Sequence, residues 1–91
     1  VGPGDAYAQA VQAFTRMQLF VEAAGGKMAD IIKLNAFLSD IRHRQAFIDA
    51  RRKFFSGDFP PCVVVGSTTF SQPEFLVEIE AMAVVPAAAR T

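Results

Sequence analysis

The sequence predicts one α+β domain with the element order helix, strand, helix, strand, strand. Two stretches carry apolar residues at helical spacing, three other runs are alternating or continuously apolar, and a length of 91 residues suits a single hydrophobic core. Apolar residues make up 52% of the chain and charged residues 20%, with nine basic and nine acidic side chains. This balance disfavours a disordered chain and a general binder of polyanions.

The first helix is predicted from Asp5 to Ala24. A turn over residues 2–4 precedes Asp5, which is a favourable N-cap residue. The pair Gly25 and Gly26 can end the helix, because glycine tolerates the left-handed backbone of a helix C-terminus. The apolar stripe of this helix consists of Tyr7, Val11, Phe14, Met17, Val21 and Ala24.

A buried strand and a second helix are predicted next. The strand covers Ile31–Leu38, and alternation places Ile32, Leu34, Ala36 and Leu38 on one face. Asp40 then offers a cap for a helix that runs to about Phe55, before Gly57 stops it. The apolar stripe of this second helix consists of Phe47, Ala50 and Phe54.

Two further strands are predicted over residues 62–70 and 75–85, and the four residues between them are short enough for a hairpin. Alternation in the last strand turns its apolar residues toward the helices and leaves Glu78 and Glu80 on the other face. That second face is also apolar in part, as expected of an interface. We therefore expect a homo-oligomer with Glu78 or Glu80 near subunit contacts, and a frayed tail over residues 86–91.

Cysteine content and hydropathy favour a chain of the reducing cytoplasm. Cys62 is the single cysteine, so it has no internal disulfide partner, and no Cys/His set reaches the four ligands of a structural zinc site. No apolar run approaches the roughly 20 residues of a membrane span, and the first residues lack the features of a signal peptide. We expect a cytoplasmic chain without membrane contact. Because the sequence starts without an initiator Met, our expectation is also that it is a truncated or processed chain.

Seven short motifs follow one another along the chain. They are Asp5-x-x-x-Gln9, Glu22-Ala23-Ala24-Gly25-Gly26, Asp30-Ile31-Ile32-Lys33, Phe37-Leu38-Ser39-Asp40, Phe54-Phe55-x-Gly57, Pro60-Pro61 and Val77-Glu78-Ile79-Glu80-Ala81. No one motif is specific, but in this order and spacing they resemble the Rid family of reactive intermediate deaminases, also called YjgF-like or L-PSP endoribonuclease-like proteins. The resemblance covers about residues 5–85.

The resemblance implies a chorismate-mutase-like fold, with a mixed sheet and two helices on one face, assembled as a homotrimer with clefts at the subunit interfaces. Active members hydrolyse reactive enamines and imines to 2-oxo acids and ammonia without a metal or cofactor. The family's N-terminal hairpin and the strand after it have no counterpart in this sequence. Residues 1–91 are therefore interpreted as a single Rid/YjgF-like domain that is N-terminally incomplete relative to the family.

The resemblance also implies site residues. Glu80 matches the second glutamate of the family's terminal motif, which orients the attacking water, and it is the predicted catalytic residue. Deaminating members carry an arginine two residues after the proline that matches Pro60, and this arginine binds the substrate carboxylate. That position is Cys62 here, or Val63 if the loop gap is placed differently. Both are predicted to line the substrate cleft, and neither can replace a guanidinium.

Three other features have alternative interpretations. Cys62 has no His or Lys beside it in sequence, which favours a cleft-lining residue over a nucleophile. His43 lies between two arginines and is interpreted as a solvated surface histidine. Arg51 falls inside the apolar arc of the second helix, where it would pair with a carboxylate, cap a subunit contact or supply the cation that Cys62 lacks.

The sequence leaves three classes of function open. The first is a homotrimer that binds, and hydrolyses, an imine, an enamine or a related small carbonyl metabolite as a hydrolase acting on C–N bonds. The second is a non-catalytic ligand-binding or structural trimer that has lost the carboxylate anchor. The third, an RNA-binding or endoribonuclease-like protein, is disfavoured because the basic residues between positions 42 and 53 form no continuous face. The expected partners are a small-molecule metabolite and copies of this chain, with no metal or cofactor.

Overall fold

The computed structural model describes residues 5–55, 60–66, 69–70 and 74–85. The α+β class and the order of elements are confirmed. The turn predicted over residues 2–4, the stop at Gly57 and the tail over residues 86–91 lie outside the described residues. The helices and strands are α1 (Ala6–Ala23), β1 (Ile31–Leu38), α2 (Arg44–Phe54), β2 (Cys62–Val65) and β3 (Val77–Ala83).

Helix α1 begins and ends where its sequence predicts. The Asp5 side chain accepts a hydrogen bond of 2.9 Å from the backbone N–H of Ala8, which satisfies one donor of the first turn. After the last turn Gly25 adopts a positive φ of 91°, and the N–H of Gly26 donates to the carbonyl of Val21 at 2.9 Å. The left-handed glycine thus reverses the chain toward β1.

Asp40 caps the entrance to α2 through a single turn of 3₁₀ helix over Ile41–His43. Its Oδ1 accepts from the backbone N–H of Arg42 at 2.9 Å, and its Oδ2 accepts from the Arg42 guanidinium at 2.8 Å. The Arg42 side chain, and then its backbone N–H, lower the pKa of the Asp40 carboxyl from 3.8 to about 2. Asp40 is therefore a cap, as predicted, and also one half of an exposed ion pair.

The three strands form a mixed sheet in the order β2–β1–β3. The predicted hairpin between the last two strands is wrong, because both of these strands pair with β1 instead of with each other. Helix α2 carries the chain across the sheet, so β2 returns parallel to β1, with Leu34 opposite Cys62. Strand β3 pairs antiparallel to the other edge of β1, with Asn35 opposite Glu80.

A bulge near the start of β1 changes which residues face the helices. Leu34, Ala36 and Leu38 are fully buried, as predicted, but Ile32 is 48% exposed and Ile31 is buried in its place. The pairing with β3 shifts register between Ile31 and Lys33. The bulge inserts an extra residue and inverts the alternation on its N-terminal side, so the prediction for Ile32 is wrong.

Both helices pack on one face of the sheet around a cluster of aromatic rings. Phe14 of α1 lies at its centre, with its ring centroid 5.9 Å from Phe47, 5.4 Å from Phe54 and 5.9 Å from Phe55. Each fully buried side chain of this size contributes about 1.5–3 kcal/mol to folding. The core lies entirely between the helices and the sheet, so in the described part of the chain the opposite face of the sheet has no layer over it.

Among the described helices, none combines the length and the apolar composition that crossing a bilayer requires.

Candidate functional site

The face of the sheet turned away from the helices carries the polar side chains of the strands. We call it the free face. The register pairs between the strands show which side chains lie on this face. They are Lys33, Asn35, Phe37, Val63, Val65, Glu78, Glu80 and Met82. On this face Asn35 lies between Val63 on one neighbouring strand and Glu80 on the other. Glu80 is exposed, and Val63 is 57% exposed.

Cys62 lies on the opposite face. Its register partner is Leu34, and its side chain is half-buried against the hydrophobic core. Burial raises the pKa of the Cys62 thiol, and the nearby Arg51 guanidinium partly offsets this rise by its charge and by a hydrogen bond. A thiol of raised pKa holds less of the nucleophilic thiolate, so the surroundings of Cys62 favour an inert side chain over a nucleophile.

The structure therefore divides the three predicted site residues. Glu80 and Val63 share the free face, one strand apart on either side of Asn35, whereas Cys62 faces the helices. Successive residues of a strand point to opposite faces, so Cys62 and Val63 cannot both turn toward Glu80. A single chain does not bring Cys62 and Glu80 together.

A depression of about 430 Å³ lies on the free face beside Glu80. Its lining includes Lys33, Asn35 and Met82. Asn35 is directly opposite Glu80, and Lys33 is directly opposite Met82, so the four side chains occupy the corners of one cross-strand square. Lys33 and Asn35 are site candidates that the sequence analysis missed. The polar residues at alternate positions of the otherwise apolar strand β1 are the signal that would have identified them.

A second cavity, of about 450 Å³, lies between α1 and the segment that leads into β3. It is lined by side chains of mixed character, including Gln9, Arg16, Phe75 and Glu78. A groove of about 480 Å³ continues from it along α1 and β3, past Phe20. Glu78 lines both of these spaces as well as the free face. Glu78 is two positions before Glu80 on the same face of β3, so these spaces lie next to the depression at Glu80.

The remaining basic candidates lie on the other layer of the molecule. Arg51 is half-buried on α2, and its guanidinium carbon is 5.8 Å from the centroid of the Phe47 ring, within the range of a cation–π contact. His43 is partly exposed in the 3₁₀ turn before α2. Within the described ranges, no three His, Cys, Asp or Glu side chains are grouped closely enough to hold a metal ion.

The family model for endoribonuclease L-PSP matches residues 1–85, which is nearly the whole chain. The chain belongs to the Rid/YjgF family. This confirms the resemblance that the seven sequence motifs indicate, and the two helices with a mixed three-stranded sheet are consistent with the Rid α+β fold.

Individual members of the Rid/YjgF family are similar in sequence and in structure. A 2-iminobutanoate/2-iminopropanoate deaminase of Dermatophagoides farinae is 38% identical over 77 residues, which are 85% of this chain and 59% of that protein. Rv2704 of Mycobacterium tuberculosis, from the YjgF/YER057c/UK114 family, is 29% identical, with a TM-score of 0.86 over 93% of this chain and 71% of its own. The YjgF gene product of E. coli is 32% identical, with a TM-score of 0.82 over 92% and 68%.

Proposed function

We propose that this chain forms a homotrimer and hydrolyses a reactive imine or enamine at a cleft between subunits, with Glu80 as the residue that activates water. The position of Glu80 carries the proposal: its exposed carboxylate lies beside a depression on the free face, in register with Asn35. Membership of the Rid/YjgF family and the 38% identity to an iminobutanoate deaminase support an imine-related role. The chain spans 59% of the length of that deaminase, so the activity of the whole relative is part of the proposal.

The reaction requires one water molecule and one base. The Glu80 carboxylate accepts a proton as the water oxygen bonds to the imine carbon, and the nitrogen takes up a proton to give a tetrahedral carbinolamine. The carbinolamine then breaks its C–N bond, releases ammonia and becomes a carbonyl group. The sum is an imine plus water giving a carbonyl compound plus ammonia, and no electrons are exchanged with a cofactor.

The division of the site residues supports a cleft made by two chains. Cys62 and Glu80 lie on opposite faces of one sheet, so a cleft that contains both takes them from different subunits. The free face also exposes Val63, Val65 and Met82, the last of which is 56% exposed. Apolar surface of this kind is stabilised when another copy of the chain covers it.

The test measures how fast the chain removes 2-iminobutanoate that is generated in situ, relative to spontaneous hydrolysis in buffer. We expect acceleration by the unmodified chain and a loss of about 100-fold or more in Glu80→Gln, because a positioned general base contributes 10²–10⁴-fold. Glu78→Gln is the matched control, since it removes a carboxylate from the same strand and face. No acceleration, or an equal loss in both variants, would contradict the proposal.

A second function is favoured by one observation, the thiol at position 62 in place of the arginine of deaminating members. A carboxylate held in a cleft without a paired cation costs several kcal/mol. The alternative is a trimer that binds a ligand without converting it. Activity in Cys62→Arg alone would mean that the cleft is intact and that its natural ligand is not an amino-acid-derived imine. Inactivity of both chains would favour the binding trimer.

A further inference from the structure

Only one cationic residue is present in the three strands. Among the residues of β1, β2 and β3, the charged ones are Lys33, Glu78 and Glu80. All three lie on the free face. The sheet therefore offers a single positive charge to any anion that approaches Glu80 from this face.

Lys33 and Glu80 line the same depression at diagonal corners. Asn35 is opposite Glu80 and Lys33 is opposite Met82, so Lys33 and Glu80 are diagonal neighbours. Diagonal neighbours on one face of an antiparallel pair are about 7–8 Å apart, within reach of long side chains. Both side chains are exposed, and across the described ranges the structure records no ion pair between them. The gap between the two charges is thus available to a small molecule.

Residue 62 supplies no cation at this place, because it is a cysteine in every copy of the chain and, within one chain, it lies on the other face of the sheet from Glu80. Position 62 faces the helices, and in this chain it carries a thiol whose pKa is raised by burial. An imino acid approaching Glu80 brings its carboxylate one bond away from the carbon that water must attack. That carboxylate is repelled by Glu80 unless a cation holds it.

We propose that Lys33 binds the carboxylate of a 2-imino acid in the depression beside Glu80 and is the specificity-determining residue of this chain. The inference rests on the proposed function and names the anchor for its substrate class. The ammonium group donates hydrogen bonds to the substrate carboxylate at one corner of the square, and Glu80 directs water from the diagonal corner. Asn35, opposite Glu80, presents an amide that can orient the nitrogen or the water.

The test compares Lys33→Met, Lys33→Arg and the control Lys53→Met, which removes an exposed lysine from α2. With 2-iminobutanoate generated in situ, we expect Lys33→Met to raise KM by about 10- to 100-fold and to change kcat much less, because it removes a charged hydrogen bond from the bound state. We expect the KM of Lys33→Arg to stay within a few-fold of the KM of the unmodified chain, and the KM and kcat of Lys53→Met to equal those of the unmodified chain.

A binding measurement separates this inference from the proposed function. Calorimetric titration of the unmodified chain with 2-oxobutanoate and with butanone, which lacks the carboxylate, reports the anchor even if no turnover occurs. We expect 2-oxobutanoate to bind at least 10-fold more tightly than butanone, and Lys33→Met to remove this preference.

A preference that persists in Lys33→Met overturns the inference, as does an absence of 2-oxobutanoate binding. A changed sedimentation mass of Lys33→Met would make Lys33 a subunit contact and also overturns it. Failure of turnover alone contradicts only the proposed function.

Discussion

Gln9 in helix α1 holds Leu76 at the entrance to β3. The side-chain amide of Gln9 donates to the carbonyl of Glu74 at 2.8 Å, and its oxygen accepts from the backbone N–H of Leu76 at 2.8 Å. One side chain thus makes the paired donor and acceptor contacts that a neighbouring strand would make. This contact ties the start of the strand that carries Glu80 to the first helix.

Gln9→Ala should loosen the start of β3. We expect unfolding to require about 1–2 kcal/mol less, because two hydrogen bonds of about 0.5–1.5 kcal/mol each are lost. We also expect faster amide hydrogen exchange at Leu76. Urea unfolding followed by circular dichroism measures the first effect and exchange detected by NMR the second. Gln18→Ala, on the same helix, is the control, and an unchanged exchange rate at Leu76 would refute the contact.

Phe14→Ala should destabilise the fold by about 3–5 kcal/mol, the usual cost of truncating a buried phenylalanine. Phe14 is fully buried and contacts three other rings, whereas Phe20 on the same helix is 76% exposed. Phe20→Ala is therefore expected to change stability by less than about 0.5 kcal/mol. Denaturant unfolding measures both, with Phe14→Leu as a milder variant that keeps the fold. Equal effects at the two positions would show that the core is misassigned.

Asp40 should make the stability of the chain depend on acid. Its pKa is about 2 in the folded chain against 3.8 for the free side chain, so its contribution is complete above pH 4 and is lost as the pH falls toward 2. Asp40→Asn lacks this titration. We expect the unmodified chain to have the higher Tm at pH 7 and the difference to shrink between pH 4 and pH 2. A difference that is constant across this range would argue against the Arg42 pair as its source.

Cys62 should react with iodoacetamide more slowly than a model thiol at pH 7, because burial raises its pKa. Arg51→Met should slow the reaction further, since the guanidinium partly offsets that rise. Mass spectrometry of the alkylated chain over time gives both rates, and the urea-unfolded chain supplies the reference. A folded chain that reacts faster than the model thiol would restore Cys62 as a candidate nucleophile.

Val65→Lys should dissociate the proposed trimer. Val65 lies on the free face, and burying an unpaired ammonium group against another subunit costs several kcal/mol. Leu19→Lys is the matched control, because Leu19 is 63% exposed on α1, away from the sheet. Sedimentation equilibrium is expected to give three times the chain mass for the control and for the unmodified chain, and less for Val65→Lys. A monomeric unmodified chain would contradict the trimer.

Local signals in the sequence predicted the helices and strands. Strand order and strand register depend on residues far apart in the chain, and the sequence did not predict them. The caps at Asp5 and Asp40 depend on residues two or three positions away, so their spacing could be recognised. Strand order depends on which edge of β1 each later strand pairs with. The apolar alternation of β2 and β3 would be the same if they paired with each other in a hairpin, so it could not predict this order. The exposed Ile32 is due to a bulge that alternation alone cannot reveal.

The candidate site was likewise predictable only where it depends on neighbouring residues in the sequence. Glu80 could be identified from a motif within one strand, and the free face from the alternation of β3. The proximity of Lys33 and Asn35 to Glu80 depends on the antiparallel register of β1 and β3, which joins residues more than 40 positions apart. The separation of Cys62 from Glu80 likewise required the observed pairing of both outer strands with β1.

The central position of β1 has a consequence for how the chain is made. Both sheet neighbours of β1 lie C-terminal to it, so on the ribosome β1 is synthesised before either partner exists. Helices α1 and α2 can cover one face of the nascent strand, but its hydrogen-bonding edges stay open until β2 and then β3 emerge. A released chain that ends before Val77 lacks β3 and presents one bare edge of the apolar strand β1, which is a template for pairing with other chains. Loss of β3 by premature termination therefore exposes the domain to aggregation through the uncovered edge of β1.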